Sequence, residues 1–196
     1  FHLDLFHKVQ SSADNLDAII KDLNQIIELN NRSTELLEEI RLEQELSKLK
    51  DQFRSEILEN GITIESDFSD APTLVSVKSV FNNILYQLFK NSIQYKALHR
   101  KPEIILKTKM TDNDFIIQIT DNGLGIDLNL KDKIFMPFKR LHFHTEGKGL
   151  GLFLAKYQAE MLRGNIEVQS EVNKFTTFTL FLPRNKNITE GIMTYD

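Results

Sequence analysis

Apolar residues near the start of the chain recur in steps of three and four: Phe6, Val9, Ala13, Leu16, Ile20, Leu23 and Ile27. That spacing predicts a helix with a heptad seam. Leu5, Ile19 and Ile26 lie beside the seam and widen it, which suits a helical bundle better than a two-stranded coil. The same seam could also pack on the chain's own globular part. The first break is the polar run Asn30-Asn31-Arg32-Ser33. Beyond it the periodicity changes repeatedly. Residues 38–42 read as a short edge strand. Leu46, Leu49, Phe53 and Ile57 mark one helix face ending near Asn60-Gly61. Ile62 and Ile64 alternate as a strand, and Pro72 and Ser76 are expected to introduce a long helix through Tyr95. Strands follow at 103–109 and 114–120 around the turn 111–113. A helix over about 150–162 and a closing hairpin, 165–171 and 176–182, complete the pattern before Pro183. The fold class expected is α+β, a two-layer sandwich with a mixed sheet of about five strands and about three helices. Three regions follow: a bundle helix over 1–32, a globular domain over 33–183 and a polar tail over 184–196.

Composition narrows the chemistry. The 196 residues carry a net charge of −4, with lysines and arginines scattered rather than in a basic stripe, so no nucleic-acid partner is expected. The chain contains no cysteine, which excludes disulfides, thiolate zinc sites and cysteine nucleophiles. No apolar run approaches the roughly 18 residues of a membrane span, so no membrane contact is expected in this stretch. A chain opening on Phe1 is expected to be part of a longer protein, cytoplasmic here, with any membrane anchor upstream.

Three segments carry candidate chemistry. In Asn82–Tyr95, Gln87, Asn91 and Tyr95 recur every four residues and share a stripe distinct from Ile84, Leu88 and Ile93. An asparagine there can offer a neutral oxygen to Mg²⁺, although for this helix alone a solvated polar face is the favoured reading. Asp121-Asn122-Gly123-Leu124-Gly125-Ile126 follows a strand. Its carboxylate can accept a hydrogen bond from an exocyclic amine while the glycines admit a flat ring, yet alone the motif is also a plain turn. Gly147-Lys148-Gly149-Leu150-Gly151-Leu152 opens a helix, where free backbone N–H groups bind phosphate. It matches neither the dinucleotide fingerprint nor the Walker loop.

In this order and within about 65 residues, the three resemble the ATPase domain shared by histidine kinases, type II topoisomerases, mismatch-repair proteins and heat-shock chaperones. Ile134-Phe135-Met136-Pro137-Phe138-Lys139-Arg140 resembles the phenylalanine box of the histidine kinases. The stretch from Lys139 to Glu146 resembles a short lid, and Phe175-Thr176-Thr177-Phe178 with Leu182-Pro183 resembles their end signature. The resemblance implies a Bergerat-type ATP-binding fold over roughly 38–183, preceded by the second helix of a dimerisation bundle. It implies ATP and Mg²⁺ as cofactors, with Asn91 holding the metal and Gln87 standing where Asn is usual. Tyr95 would pack on the adenine and Asp121 would read its amino group, beside Gly123, Gly125, Ile126 and Thr176. Gly147, Lys148, Gly149, Leu150 and Gly151 would wrap the phosphates, with Arg140 near the terminal one. A homodimer through the N-terminal helix and a response regulator receiver domain are the implied partners.

The sequence departs from that pattern in places. Gln94 stands where Lys or Arg is frequent, with Lys148 or Lys90 as substitutes. Phe175 and Arg163 each replace a usual glycine. Neither His2 nor His7 has the context of a phosphoacceptor, so that histidine is expected on a helix outside the chain. His142 and His144 with Glu146 make a weak metal set, better read as lid residues, and His99 is expected at the surface. The expected reaction is transfer of the γ-phosphoryl of ATP to a histidine. The alternatives are a degenerate nucleotide-binding or dimerisation module and a serine-phosphorylating relative, the latter disfavoured by the bundle seam.

Overall fold

The structure is a computed structural model that describes residues 37–139 and 149–184. The expected bundle helix, the tail beyond Arg184, and Arg140, Gly147, Lys148, His142, His144 and Glu146 lie outside the described residues. So do His2 and His7.

A five-stranded mixed sheet forms the body. Its strands are β2 (Thr63–Asp67), β4 (Glu103–Met110), β5 (Asp114–Asp121), β6 (Asn165–Glu171) and β7 (Phe175–Pro183), in the order β2-β4-β5-β7-β6. Only β2 and β4 are parallel. Alternation decides which face is buried. Leu106 of β4 lies opposite Ile119 of β5, which lies opposite Phe178 of β7, and all three are buried. The neighbouring Lys107 and Gln118 are exposed on the other face. Two helices, α3 (Lys78–Gln94) and α5 (Gly151–Met161), cover the apolar face. Phe81 of α3 meets Phe115 of β5 edge-on, with ring centroids 6.4 Å apart. Each such large side chain contributes about 1.5–3 kcal/mol through burial. The architecture is therefore α+β, with a five-stranded mixed sheet and helices on one face.

The helix expected through Leu46 and Ile57 is jogged. It divides into α1 (Leu42–Gln52) and α2 (Arg54–Asn60) at Phe53, whose φ of −104° and ψ of 22° leave the helical region. Phe53 is buried against Tyr86 and Phe89 of α3, with centroids 5.3 and 5.7 Å away. Packing of one aromatic side chain thus coincides with the break. Gly61, at φ +60°, ends α2 as the terminal Asn-Gly pair predicts.

A second difference concerns the entry to α3. Residues expected to lead into the helix form a strand, β3 (Thr73–Ser76), paired antiparallel with β1 (Glu38–Arg41) in a separate two-stranded ribbon. Leu74 and Ser76 alternate into the interior, so Ser76 is buried in a strand rather than capping a helix. Four residues of alternation are too few to outweigh a Pro-to-Ser helix-start signal when read alone. Among the described residues, no helix is long and apolar enough to cross a membrane.

Candidate functional site

The site begins where β5 ends. Asp121 is buried at the last position of that strand, opposite Thr176 of β7, which lies opposite Ser170 of β6. Three polar residues therefore form a row across the strands, beside the start of the loop 122–126.

That loop is held on both sides. Asp121 Oδ1 accepts the Gly123 N–H at 2.9 Å, and the Tyr95 carbonyl at the end of α3 accepts the Leu124 N–H at 2.9 Å. A Cβ on Gly123 would lie 2.3 Å from the Tyr95 carbonyl oxygen, so loop and helix end meet too closely for any side chain. Gly125 adopts φ +68°, and a Cβ there would strike the Glu171 carbonyl at 2.2 Å. The Ile126 N–H donates to Ser170 Oγ at 2.8 Å, and the Asn173 N–H donates to the Leu124 carbonyl at 2.7 Å. Arg100 donates to the Asn173 carbonyl and so ties the hairpin tip down from outside. Asn122 braces the loop through the Lys101 carbonyl and the Glu103 N–H, at 3.0 and 2.9 Å.

Burial pushes the Asp121 carboxyl up to about 6, while the Gly123 N–H and then the Ser92 hydroxyl pull the other way. Ser92 is itself buried, with its Oγ 3.4 Å from the Leu88 carbonyl oxygen as an alternative acceptor for its single proton. With its carboxyl near 6, Asp121 is mostly charged at neutral pH and acts as a hydrogen-bond acceptor.

Next to this row opens a largely apolar pocket, lined by Asn91, Tyr95, Asp121, Gly125, Ile126, Ile134, Lys139, Leu152, Thr176 and Phe178. It shares Asn91, Tyr95, Ile134, Lys139 and Leu152 with a more polar opening, to which Gln87, Lys90, Gln94, Gly149, Leu150 and Gly151 contribute. The two form one continuous site, apolar at the sheet edge and polar towards the start of α5. Gly151 faces α3 closely: a Cβ there would lie 2.7 Å from Gln87 Oε1. The Gly149 carbonyl accepts the Phe138 N–H at 2.9 Å, joining the two ends of the stretch between them. Asn91 Nδ2 is buried and, among the described residues, has no hydrogen-bond partner.

Of the residues singled out in the sequence, Gln87, Asn91, Tyr95, Asp121, Gly125, Ile126, Gly149, Leu150, Gly151 and Thr176 surround this site. Gly123 sits behind it, under Tyr95. Lys90 lines the polar opening with its Nζ 5.9 Å from the Tyr86 ring centre. His99 is exposed and Gln94 borders the polar opening. Sequence reasoning did not single out Lys139, Ile134, Leu152 or Phe178 as lining residues, nor Ser92 and Ser170 as supports. The first four lie within motifs that the sequence did single out, and that membership was the only signal. Among the described residues, no group of three or more His, Cys, Asp or Glu side chains could hold a metal.

Comparisons with known proteins point one way. Residues 76–186 match the family described as histidine kinase-, DNA gyrase B-, and HSP90-like ATPase. The histidine protein kinase SaeS of Staphylococcus epidermidis is 30% identical over 178 residues, covering 88% of this chain and 50% of the relative. Signal transduction histidine-protein kinase ArlS of Staphylococcus aureus is 29% identical over 181 residues, 85% of this chain and 40% of the relative. Cyanobacterial phytochrome A of Nostoc is 31% identical over 144 residues, 72% of this chain and 18% of the relative. The chain thus spans half or less of the length of these relatives. In fold it is similar to the Acinetobacter baumannii histidine kinase AdeS, at TM-score 0.72 and 20% identity, over 93% of this chain and 85% of that one. Full-length ShkA in complex with AMPPNP aligns at TM-score 0.73 and 22% identity, over 88% of this chain and 36% of that one.

Proposed function

Because the chain belongs to the histidine kinase-, DNA gyrase B-, and HSP90-like ATPase family and carries the catalytic ATPase domain of a sensor histidine kinase, we propose that its site holds Mg·ATP for transfer of the γ-phosphoryl group to a histidine. The observation that carries this reading is the shape of the site: a buried acceptor, Asp121, at one end of an apolar cavity that opens onto amides and a helix start.

The adenine lies in the apolar cavity, its amino group donating to Asp121, with Tyr95 and Ile126 against the ring. The phosphates run towards α5, where the backbone N–H groups of Gly149, Leu150 and Gly151 and the helix dipole favour negative charge. Lys139 and Lys90 stand at that end, and Arg140 and Lys148 would add to them. The donor set there fits Mg²⁺. Asn91 Oδ1, with Gln87 one turn earlier, would hold the ion as neutral oxygens that leave room for waters and phosphate. When bound, the ion would neutralise negative charge on the phosphates. The protein's contribution is position: a histidine nitrogen bonds to the γ-phosphorus as the bond to the β-phosphate oxygen breaks, ADP leaves and the imidazole proton is released.

On this reading the domain has the Bergerat-type sandwich. The seam from Phe6 to Ile27 forms one bundle helix of a homodimer on the cytoplasmic side, the acceptor lies on another helix, and a response regulator receives the phosphoryl group. Gln94, bordering the polar opening where a cation is usual, favours a second reading as a non-catalytic nucleotide-binding module. Incubation with γ-labelled ATP, Mg²⁺ and a supplied bundle bearing a competent histidine separates the two. Label on the bundle supports the kinase. Nucleotide binding without label supports the module, and no binding sinks both.

A further inference from the structure

We infer that Ser170 sets the hydrogen-bond polarity of Thr176 and thereby makes the polar end of the cavity, Asp121 with Thr176, a wall of acceptors that selects an amino-bearing purine over an oxo-bearing one. The inference rests on the nucleotide-site reading and deepens it.

A serine hydroxyl has one proton to give and lone pairs to accept with. Ser170 Oγ accepts the Ile126 N–H at 2.8 Å. It lies 2.6 Å from the Phe175 carbonyl oxygen, a separation that requires a proton between the two, and only the serine can supply it. Its proton is thereby used. The remaining contact, 3.0 Å to Thr176 Oγ1, can then form only if Thr176 donates. Thr176 thus spends its single proton on Ser170, away from the cavity it lines, and turns lone pairs towards it.

Thr176 is the cross-strand neighbour of Asp121, and both are buried at the same sheet edge. A charged carboxylate and a proton-spent hydroxyl side by side present acceptors only. A purine amino group donates into such a wall. An oxo group in its place meets lone pairs, and a buried acceptor without a donor is costly. The backbone enforces the arrangement. The Phe175 carbonyl and the Ile126 N–H belong to β7 and to the loop after Asp121, so the base-binding strand, loop and hairpin all orient the same serine.

ATP and ITP differ at the purine 6-position, amino against oxo, and serve as the probes. Affinities of the full chain for each, with Mg²⁺, are measured by calorimetry for wild type, Ser170→Ala, Ser170→Thr and Thr176→Val, with thermal melts as a folding check. Wild type should prefer ATP. Ser170→Ala frees the Thr176 proton to face the cavity, so the ATP:ITP ratio should narrow by about tenfold, mainly through tighter ITP binding. Ser170→Thr keeps a hydroxyl and should restore the ratio. If Ser170→Ala does not fold, Thr176→Val decides: removing the lone pairs should also narrow the ratio. Equal loss of both nucleotides in Ser170→Ala, or an unchanged ratio in the valine variant, would overturn the inference while leaving the nucleotide site intact. Wild type binding neither probe would overturn the site reading as well.

Discussion

The two ends of the site are built on opposite principles. At the sheet edge, polar atoms are satisfied within the protein. Asp121 is held by Gly123, Ile126 by Ser170 and Ser170 by Phe175, all on strands or a loop they brace. Towards α5, the groups are neutral amides, glycine backbone and lysines, and the Asn91 amide nitrogen is buried with no partner among the described residues. On the proposed function, the base end is organised by folding, whereas the phosphate end is completed by what binds. Substitutions at the first should therefore alter selectivity and stability together, and at the second should alter binding alone.

The largest effect tests the second half of that contrast. Asn91→Ala should lower Mg·ATP affinity by about 100-fold, because the oxygen proposed to orient metal and phosphates is gone. Unfolding free energy should stay level or rise by up to about 1 kcal/mol, since a buried unpaired amide is removed. A large loss of stability in denaturant titration would show that this end is structural after all.

At the base end, Asp121→Asn should weaken ATP about 10- to 100-fold, the range expected for a charge-assisted hydrogen bond, and should narrow discrimination against oxo purines. Competition between ATP and GTP checks it. An equal loss for both nucleotides would contradict the assigned role.

Proton linkage sharpens the contrast further. With its carboxyl raised to about 6 by burial, Asp121 favours the folded state most when neutral. Its contribution to stability is complete below the unfolded value near 4 and is lost as pH rises through about 6, a difference of roughly 3 kcal/mol at most. Nucleotide affinity should move the other way and fall below about pH 6, because a protonated carboxyl is a weaker, neutral acceptor for the amino group. Unfolding at pH 5 and pH 7.5, wild type minus Asp121→Asn, isolates this slope, and calorimetric titration with ATP at the same pH values checks the opposite trend.

The smallest effect lies outside both ends. Arg163 holds φ +59° after α5, the left-handed region that a usual glycine would enter freely. Arg163→Gly should raise stability by about 0.5 kcal/mol and leave nucleotide affinity unchanged. A change in ATP binding would mean the turn after α5 reaches the site.

What could be read in advance was local. Gln87, Asn91 and Tyr95 share a helix face through spacing alone, and Asp121 precedes its glycines directly in the chain. The paired strands 103–110 and 114–121 and the closing hairpin were legible for the same reason: alternation and turn residues act over short range. What depends on register was not. No property of Ser170 as a residue says that it will lie opposite Thr176 and beneath Ile126. The jog at Phe53 reflects aromatic neighbours on another helix, more than thirty positions away. The strand Thr73–Ser76 exists because Glu38–Arg41 arrives beside it, a pairing invisible within four residues. Gln94 and Arg163 departed from the family pattern visibly, but only the structure separates one at the polar opening from one in a turn.

The most direct measurement is calorimetric titration of the chain with ATP in the presence of Mg²⁺, run in parallel on wild type and Asn91→Ala. The account predicts saturable one-site binding by wild type and its loss, by about 100-fold, in a variant that melts no lower. Equal binding by both proteins, or none by wild type, would contradict it.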